Sequence, residues 1–126
     1  MYRILKRPDL VTYWAEDNLK LLEPWVEIHP DDTRALYFLA GTYEILGRRE
    51  EAMKCADQAV ALDPEDGATY YNVACMYANM GEVEKAIDLL ERAVSKGFTS
   101  REWIENDGDL LTLHGHPRFQ ALLGKL

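Results

Sequence analysis

Apolar residues recur along the middle of the chain at the spacing of amphipathic α-helices, and the same pattern occurs twice. Residues 33–66 and 67–100 align without a gap at an offset of 34 positions. Because an α-helix turns about 100° per residue, positions 4, 7, 8 and 11 of each segment fall on one side of a first helix. These stripe positions hold Leu36, Leu39, Ala40 and Tyr43 in one segment and Tyr70, Val73, Ala74 and Tyr77 in the other. The pattern predicts two copies of a helix–turn–helix unit.

Glycine, proline and aspartate mark the ends of the predicted helices. Gly47 and Gly81 lie where each first helix should stop, since glycine accepts the left-handed C-cap conformation. Pro64 closes the first unit because proline lacks the amide hydrogen that a helix needs. Asp32 and Asp66 precede the first helices and are predicted N-caps. The predicted second helices carry mainly small residues that favour close packing, namely Ala52, Ala56, Ala59 and Val60, then Ala86, Leu90, Ala93 and Val94.

Residues 9–30 are expected to form a leading helix that corresponds to half a repeat. Counting back 34 positions aligns this segment with the second helix of an earlier unit, whose first helix would lie before Met1. Asp9 is the predicted N-cap, and Pro24 should kink or shorten the helix because it removes one amide hydrogen.

Residues 101–126 leave the 34-residue period and are expected to cap the array. Thr99 and Glu102 have the spacing of a capping box, and His116 followed by Pro117 predicts the start of a last helix. A terminal cap is needed because each repeat buries its face only against a neighbour. The side chains expected to close the open end are Trp103, Leu110, Leu111, Phe119 and Leu122.

The two units resemble the tetratricopeptide repeat family, whose pattern places large residues at positions 4, 7, 11 and 24, small ones at 8, 20 and 27, and proline at 32. Ala56 at position 24 and Gly97-Phe98 at the end of the second unit depart from it. The C-terminal segment carries a tryptophan at 103, Asn-Asp at 106–107, a leucine pair at 110–111 and Pro-Arg-Phe-Gln at 117–120. With this ending, residues 67–126 are similar to the C-terminal tails of some bacterial serine/threonine kinases, nucleotide cyclases and winged-helix regulators, and the resemblance implies a non-catalytic role. The resemblance implies an all-α fold, a right-handed superhelical stack forming one domain over residues 1–126. That stack would contain two full repeats, 33–66 and 67–100, between the leading helix and the capping tail.

Composition narrows the choice of partners and location. Among 126 residues, 14 Lys+Arg against 22 Asp+Glu give a formal net charge of −8. This charge repels phosphate backbones and anionic lipids, so neither nucleic acid nor membrane is an expected partner. There is no apolar run long enough to span a membrane and no signal-peptide core, and two cysteines fit a reducing compartment. We therefore expect a cytoplasmic protein.

Function is expected on the concave face of the first helices, opposite the packed stripe. Tyrosine provides a large contact area there at low entropic cost. A purely structural role, in which Tyr37 and Tyr71 pack between adjacent first helices, is the favoured alternative for these two residues. The residues predicted to bind a peptide or a partner protein are Arg34, Tyr37, Glu44, Ile45, Tyr71, Cys75 and Asn79.

Two other functional classes remain open in the sequence. The chain could be the regulatory or oligomerising C-terminal module of a larger bacterial signalling protein, with a homo-oligomer formed through its open N-terminal end. An enzyme with a metal site at His114 and His116 is disfavoured because two histidines lack further ligands and His116 fits a helix cap. We predict a non-enzymatic scaffold, with no catalytic residue, metal or cofactor.

Overall fold

A computed structural model describes the backbone of residues 8–126 and the side chains from residue 12 onward. Within that part of the chain all regular structure is helical: α1 Pro8–Ile28, α2 Thr33–Ile45, α3 Arg49–Leu62, α4 Gly67–Asn79, α5 Val83–Ser95, α6 Arg101–Asn106, a 3₁₀ helix Gly108–Leu113 and α7 Pro117–Gly124. The all-α prediction is confirmed. None of these described helices has both the length and the apolar character that a bilayer-spanning helix requires. The contacts divide the chain into two compact units, Met1–Asp63 and Pro64–Leu126.

The first unit is built on α2, which packs against both α1 and α3. Its predicted stripe is buried in full, and α3 faces it with three alanines, Ala52, Ala56 and Ala59, that have no exposed surface. These small side chains let the two helix axes approach closely. Helix α1 continues through Pro24, and its Glu23 carboxylate accepts a hydrogen bond from the Tyr43 hydroxyl at 2.5 Å. The N-cap prediction for Asp9 is wrong, because Pro8 is already helical.

The helix ends within the repeats follow the predicted chemistry. Gly47 and Gly81 adopt left-handed φ angles of +77° and +82°. Each lets the chain turn back, so that Arg48 N–H bonds the Tyr43 carbonyl at 2.8 Å, with the same arrangement after Gly81. At the helix starts, the Asp32 carboxylate accepts the N–H of Ala35 at 3.1 Å, and Asp66 likewise caps α4. The cap predictions at these four positions are confirmed.

In the second unit α4 is the central helix, with α5 on one side and the 3₁₀ helix on another. Most of α4 is buried, and Tyr77 has no exposed surface. From α5, the buried residues are Ala86, Ile87, Leu90 and Ala93. The second unit therefore buries more faces of its first helix than an isolated helix pair could.

The C-terminal segment caps this unit with a partly different set of side chains from the predicted one. Leu110, Phe119 and Leu122 are buried as expected, but Trp103 and Leu111 are exposed, so their predicted capping role is wrong. Three further residues of this segment are buried, although they are not among the predicted capping side chains: Ile104, Leu113 and Leu123. In a 3₁₀ helix residues three apart share a side, which places Leu110 and Leu113 together and turns Leu111 away. Helix α6 is capped by Ser100, whose hydroxyl accepts the Trp103 N–H, rather than by Thr99.

Candidate functional site

The outer face of α2 presents an aromatic and cationic surface in the first unit. The Phe38 ring is half exposed, lies 5.0 Å from the Tyr37 ring centre at 48°, and has the Arg34 guanidinium carbon 5.7 Å from its own centre. Phe38 is not among the binding residues predicted from the sequence, although its position outside the packed stripe indicates an exposed aromatic side chain. Glu44 and Ile45 are half-buried further along the same helix.

A gap separates the two ends of this α2 surface. Gly41 lies one turn after Tyr37, and a Cβ placed on it would meet no atom within 4 Å. Arg34, Tyr37, Gly41, Glu44 and Ile45 follow at intervals of three, four, three and one residues, so they share one side of the helix. We call Arg34, Tyr37, Phe38, Glu44 and Ile45, with the gap at Gly41, the α2 face. Four of the seven predicted binding residues lie on it.

The C-terminal segment covers the middle of the equivalent face of α4, at Tyr71 and Cys75, whereas Asn79 at its end stays exposed. Tyr71 is buried, its ring stacks on Phe98 with centres 4.2 Å apart, and its hydroxyl donates a hydrogen bond to the Asp107 carboxylate. Asn79 donates from Nδ2 to Asp109 Oδ1 at 3.1 Å. The other three predicted residues, Tyr71, Cys75 and Asn79, therefore contact residues 98–109 in this structure.

Burial and nearby carboxylates make both ionisable groups on the α4 face hard to deprotonate. Desolvation, followed by the hydrogen bond to Asp107, raises the pKa of the Tyr71 phenol well above its usual range. Desolvation, with Asp107 and Asp109 close by, likewise raises the pKa of the Cys75 thiol. At neutral pH both side chains are neutral hydrogen-bond donors, and Cys75 is a poor nucleophile.

Cys75, Asp107 and Asp109 place one potential metal-ligand atom each within 4.8 Å of one another. Their hydrogen bonds explain this cluster without an ion. Asp107 Oδ1 accepts the N–H of Asp109 at 2.9 Å, which caps the 3₁₀ helix, and its other oxygen lies 4.0 Å from the Cys75 sulfur. These contacts connect α4 to the start of the 3₁₀ helix.

The two histidines of the C-terminal segment have separate roles. His116 Nδ1 accepts the Arg118 N–H at 3.2 Å, which confirms the helix-cap interpretation, and its Nε2 lies 2.6 Å from Glu84 Oε1. The His114 ring instead stacks on Phe119, with centres 5.0 Å apart. His116 therefore links the start of α7 to α5, and His114 packs on Phe119 of α7.

Arg118 strengthens the same junction and was not anticipated from the sequence. Its guanidinium reaches three carboxylates of α5, at 3.1 Å from Glu84, 2.6 Å from Asp88 and 2.6 Å from Glu91. The hydrogen bond from His116, with help from Arg118, lowers the pKa of Glu84. These surface contacts orient α7 more than they stabilise it, because exposed ion pairs contribute little.

The described architecture contains two helix–turn–helix pairs, α2 with α3 and α4 with α5. Residues 33–66 match a family model described as a tetratricopeptide repeat, and residues 55–88 match a second model with the same description. The second match begins in α3 and ends in α5, so it overlaps the first. The chain therefore contains tetratricopeptide repeat sequence. No curated protein matches the chain as a sequence relative.

Proposed function

We propose that this protein is a non-enzymatic interaction module that binds a peptide or a partner protein through the α2 face. The observation that carries the proposal is the half-exposed Phe38 beside Tyr37 and Arg34, next to the open gap at Gly41. Tetratricopeptide repeats are typical of protein–protein interaction modules, which supports the class of function. An aromatic pair with a cation is the composition of a binding hot spot.

The proposal extends to Tyr71, Cys75 and Asn79 only for a state in which residues 107–109 leave α4. In the described state a ligand on α4 would compete with the Asp107 and Asp109 hydrogen bonds. The proposed partner is a protein and not nucleic acid or membrane, since the net charge of −8 opposes both. The free thiols of Cys55 and Cys75 support a reducing, cytoplasmic setting for it.

The test begins with peptides selected against the purified protein from a random display library. We expect Tyr37→Ala to weaken their binding by about fivefold or more, or about 1 kcal/mol, by calorimetry. Tyr13→Ala is the matched control, because Tyr13 is an exposed tyrosine on α1. Gly41→Gln should block the α2 face while leaving the circular dichroism unchanged, since its side chain enters open space. Equal binding by wild type, Tyr37→Ala and Gly41→Gln would reject the proposal.

A second candidate is the regulatory or oligomerising module of a larger bacterial signalling protein. It is supported by four large apolar side chains exposed on α1, Trp14, Leu21, Trp25 and Ile28, and by the resemblance of residues 67–126 to the tails of such proteins. Light scattering coupled to size exclusion tests the oligomerising part. A monomer at every concentration would reject it.

A further inference from the structure

Helix α1 carries a narrow apolar stripe that points away from α2. The exposed fractions of its four side chains are 44% for Trp14, 72% for Leu21, 48% for Trp25 and 73% for Ile28. At 100° per residue these four positions fall within an arc of roughly 60°. The side that packs on α2, which includes the fully buried Ala15, is centred about 120° away. We call these four residues the α1 stripe.

The spacing of the α1 stripe is that of a coiled-coil seam. Intervals of seven, four and three residues separate its members, and Asn18 fills the position one turn after Trp14. With Asn18 included, the spacing is four, three, four and three, which matches alternating core positions of a heptad repeat. A single asparagine in such a seam is known to fix the register and the number of chains.

Trp25 is held in place before any partner arrives. Its indole Nε1–H donates a hydrogen bond to Asp32 Oδ2 at 2.8 Å, and its ring lies 4.2 Å from the His29 ring. The only polar group of the side chain is thus satisfied inside the chain, and its exposed surface is ring carbon. A preordered aromatic side chain loses less entropy on docking.

We propose that the α1 stripe pairs with the same stripe of a second copy of this chain, in parallel and in register. All five seam positions are uncharged, so the pairing brings no like charges into the seam. In this arrangement Asn18 meets Asn18 of the second copy, and each amide can donate and accept. An antiparallel pair centred on Leu21 would instead bring Asn18 closest to Trp25, whose only N–H already bonds Asp32 and which offers no acceptor to the Asn18 amide.

The area available fits a weak dimer. The stripe exposes on the order of 500 Å² of apolar surface per copy, so pairing would bury about 1,000 Å² in total. This lies at the small end of specific interfaces, and we expect a dissociation constant of about 1–100 µM. Added salt should tighten the dimer, because each copy carries a net charge of −8. This inference rests on the oligomerising candidate of the proposed function.

Sedimentation equilibrium of the full chain tests the pairing across this concentration range. We expect wild type to dimerise and Leu21→Glu to raise the dissociation constant at least about 100-fold, since two buried carboxylates would face each other. Leu62→Glu is the matched control, because Leu62 is an exposed leucine on α3 of the same unit and should leave the dimer intact. Circular dichroism verifies that both variants keep their helices.

Oxidative cross-linking tests the register. Ile28→Cys should form a disulfide-linked dimer by itself, with wild type, which keeps Cys55 and Cys75, as the background. Cross-links formed only in a mixture of Trp14→Cys and Ile28→Cys would overturn the parallel register. A dimer unaffected by Leu21→Glu would overturn the stripe pairing and leave the oligomerising role intact. A strict monomer would overturn both.

Discussion

Gly67 brings the start of α4 against the end of α5, and we predict that Gly67→Ala destabilises the second unit. A Cβ on Gly67 would lie 2.9 Å from the Ala93 carbonyl oxygen and 3.2 Å from both the Lys96 carbonyl oxygen and Phe98 Cβ. The two oxygens belong to the backbone, so no rotamer change can relieve these contacts. The helices would have to separate, although α4 and α5 pack closely against each other in this unit.

The size of the effect follows from two opposing contributions. Overpacking of a close contact costs about 1–3 kcal/mol. Replacing glycine by alanine also reduces the entropy of the unfolded chain, which offsets about 0.4–1 kcal/mol of that cost. We therefore expect Gly67→Ala to lower the free energy of unfolding by about 1–2 kcal/mol, or the melting temperature by about 4–8 °C.

Gly41→Ala is the matched control for this substitution. Gly41 is also helical, but a Cβ there meets nothing within 4 Å. We expect Gly41→Ala to raise the stability by about 0.5–1 kcal/mol, because glycine inside a helix is less favourable than alanine. Urea and thermal unfolding followed by circular dichroism measure both. If Gly67→Ala were as stable as wild type, or stabilised like Gly41→Ala, the close approach of α4 to α5 would be wrong.

Four further substitutions probe other parts of the structure. Ala52→Leu should cost about 1–3 kcal/mol in urea unfolding, because Ala52 is fully buried where α3 packs on α2; an unchanged midpoint would contradict that packing. Tyr71→Phe keeps the ring but removes the donor to Asp107 and should cost about 1–2 kcal/mol, whereas no loss would mean that the hydrogen bond does not stabilise the fold. The hydrogen bond from the Trp25 indole lowers the pKa of Asp32. The ionised Asp32 carboxylate therefore stabilises the fold above its unfolded pKa, and this stabilisation is lost as the pH falls through its folded pKa. Melting between pH 6 and pH 2 should therefore show a smaller acid-induced loss in Asp32→Asn, and identical profiles would contradict the assignment. Arg118→Gln should cause a small loss of melting temperature at low salt that disappears in about 1 M NaCl, and a loss independent of salt would argue against an electrostatic role.

The repeat helices could be predicted because their ends and buried faces depend on local chemistry. A period of 3.6 residues identifies the packed stripe, and the special conformation of Gly47 and the cap at Asp66 each depend on residues within one turn. The close approach at Gly67 could not be predicted in the same way. The equivalent position of the first unit holds Thr33, so the alignment of the two repeats gives no sign of a steric requirement there.

The C-terminal segment was harder to predict because its geometry changes along its length. Trp103 and Leu111 are large apolar residues that the sequence predicts to close the open end of the array, but both are exposed. The start of α6 at Arg101, after the N-cap Ser100, and the three-residue turn of the 3₁₀ helix move the buried positions to Ile104 and Leu113. A shift of one or two residues in a short element exchanges its buried and exposed sides.

Helices α2 and α4, the first helices of the two repeats, illustrate why equivalent positions in a repeat need not share a function. Tyr37 and Tyr71 are identical in the alignment, and both were predicted to bind a partner. The neighbour of Tyr71 is Asp107, which lies 36 residues further along the chain and outside the repeated pattern. A ligand of the α4 face would have to replace that hydrogen bond and the ring contact with Phe98, whereas Phe38 on α2 is already half exposed. Binding should therefore be stronger at the α2 face, because a ligand of the α4 face must first break the contacts of Tyr71 with Asp107 and Phe98.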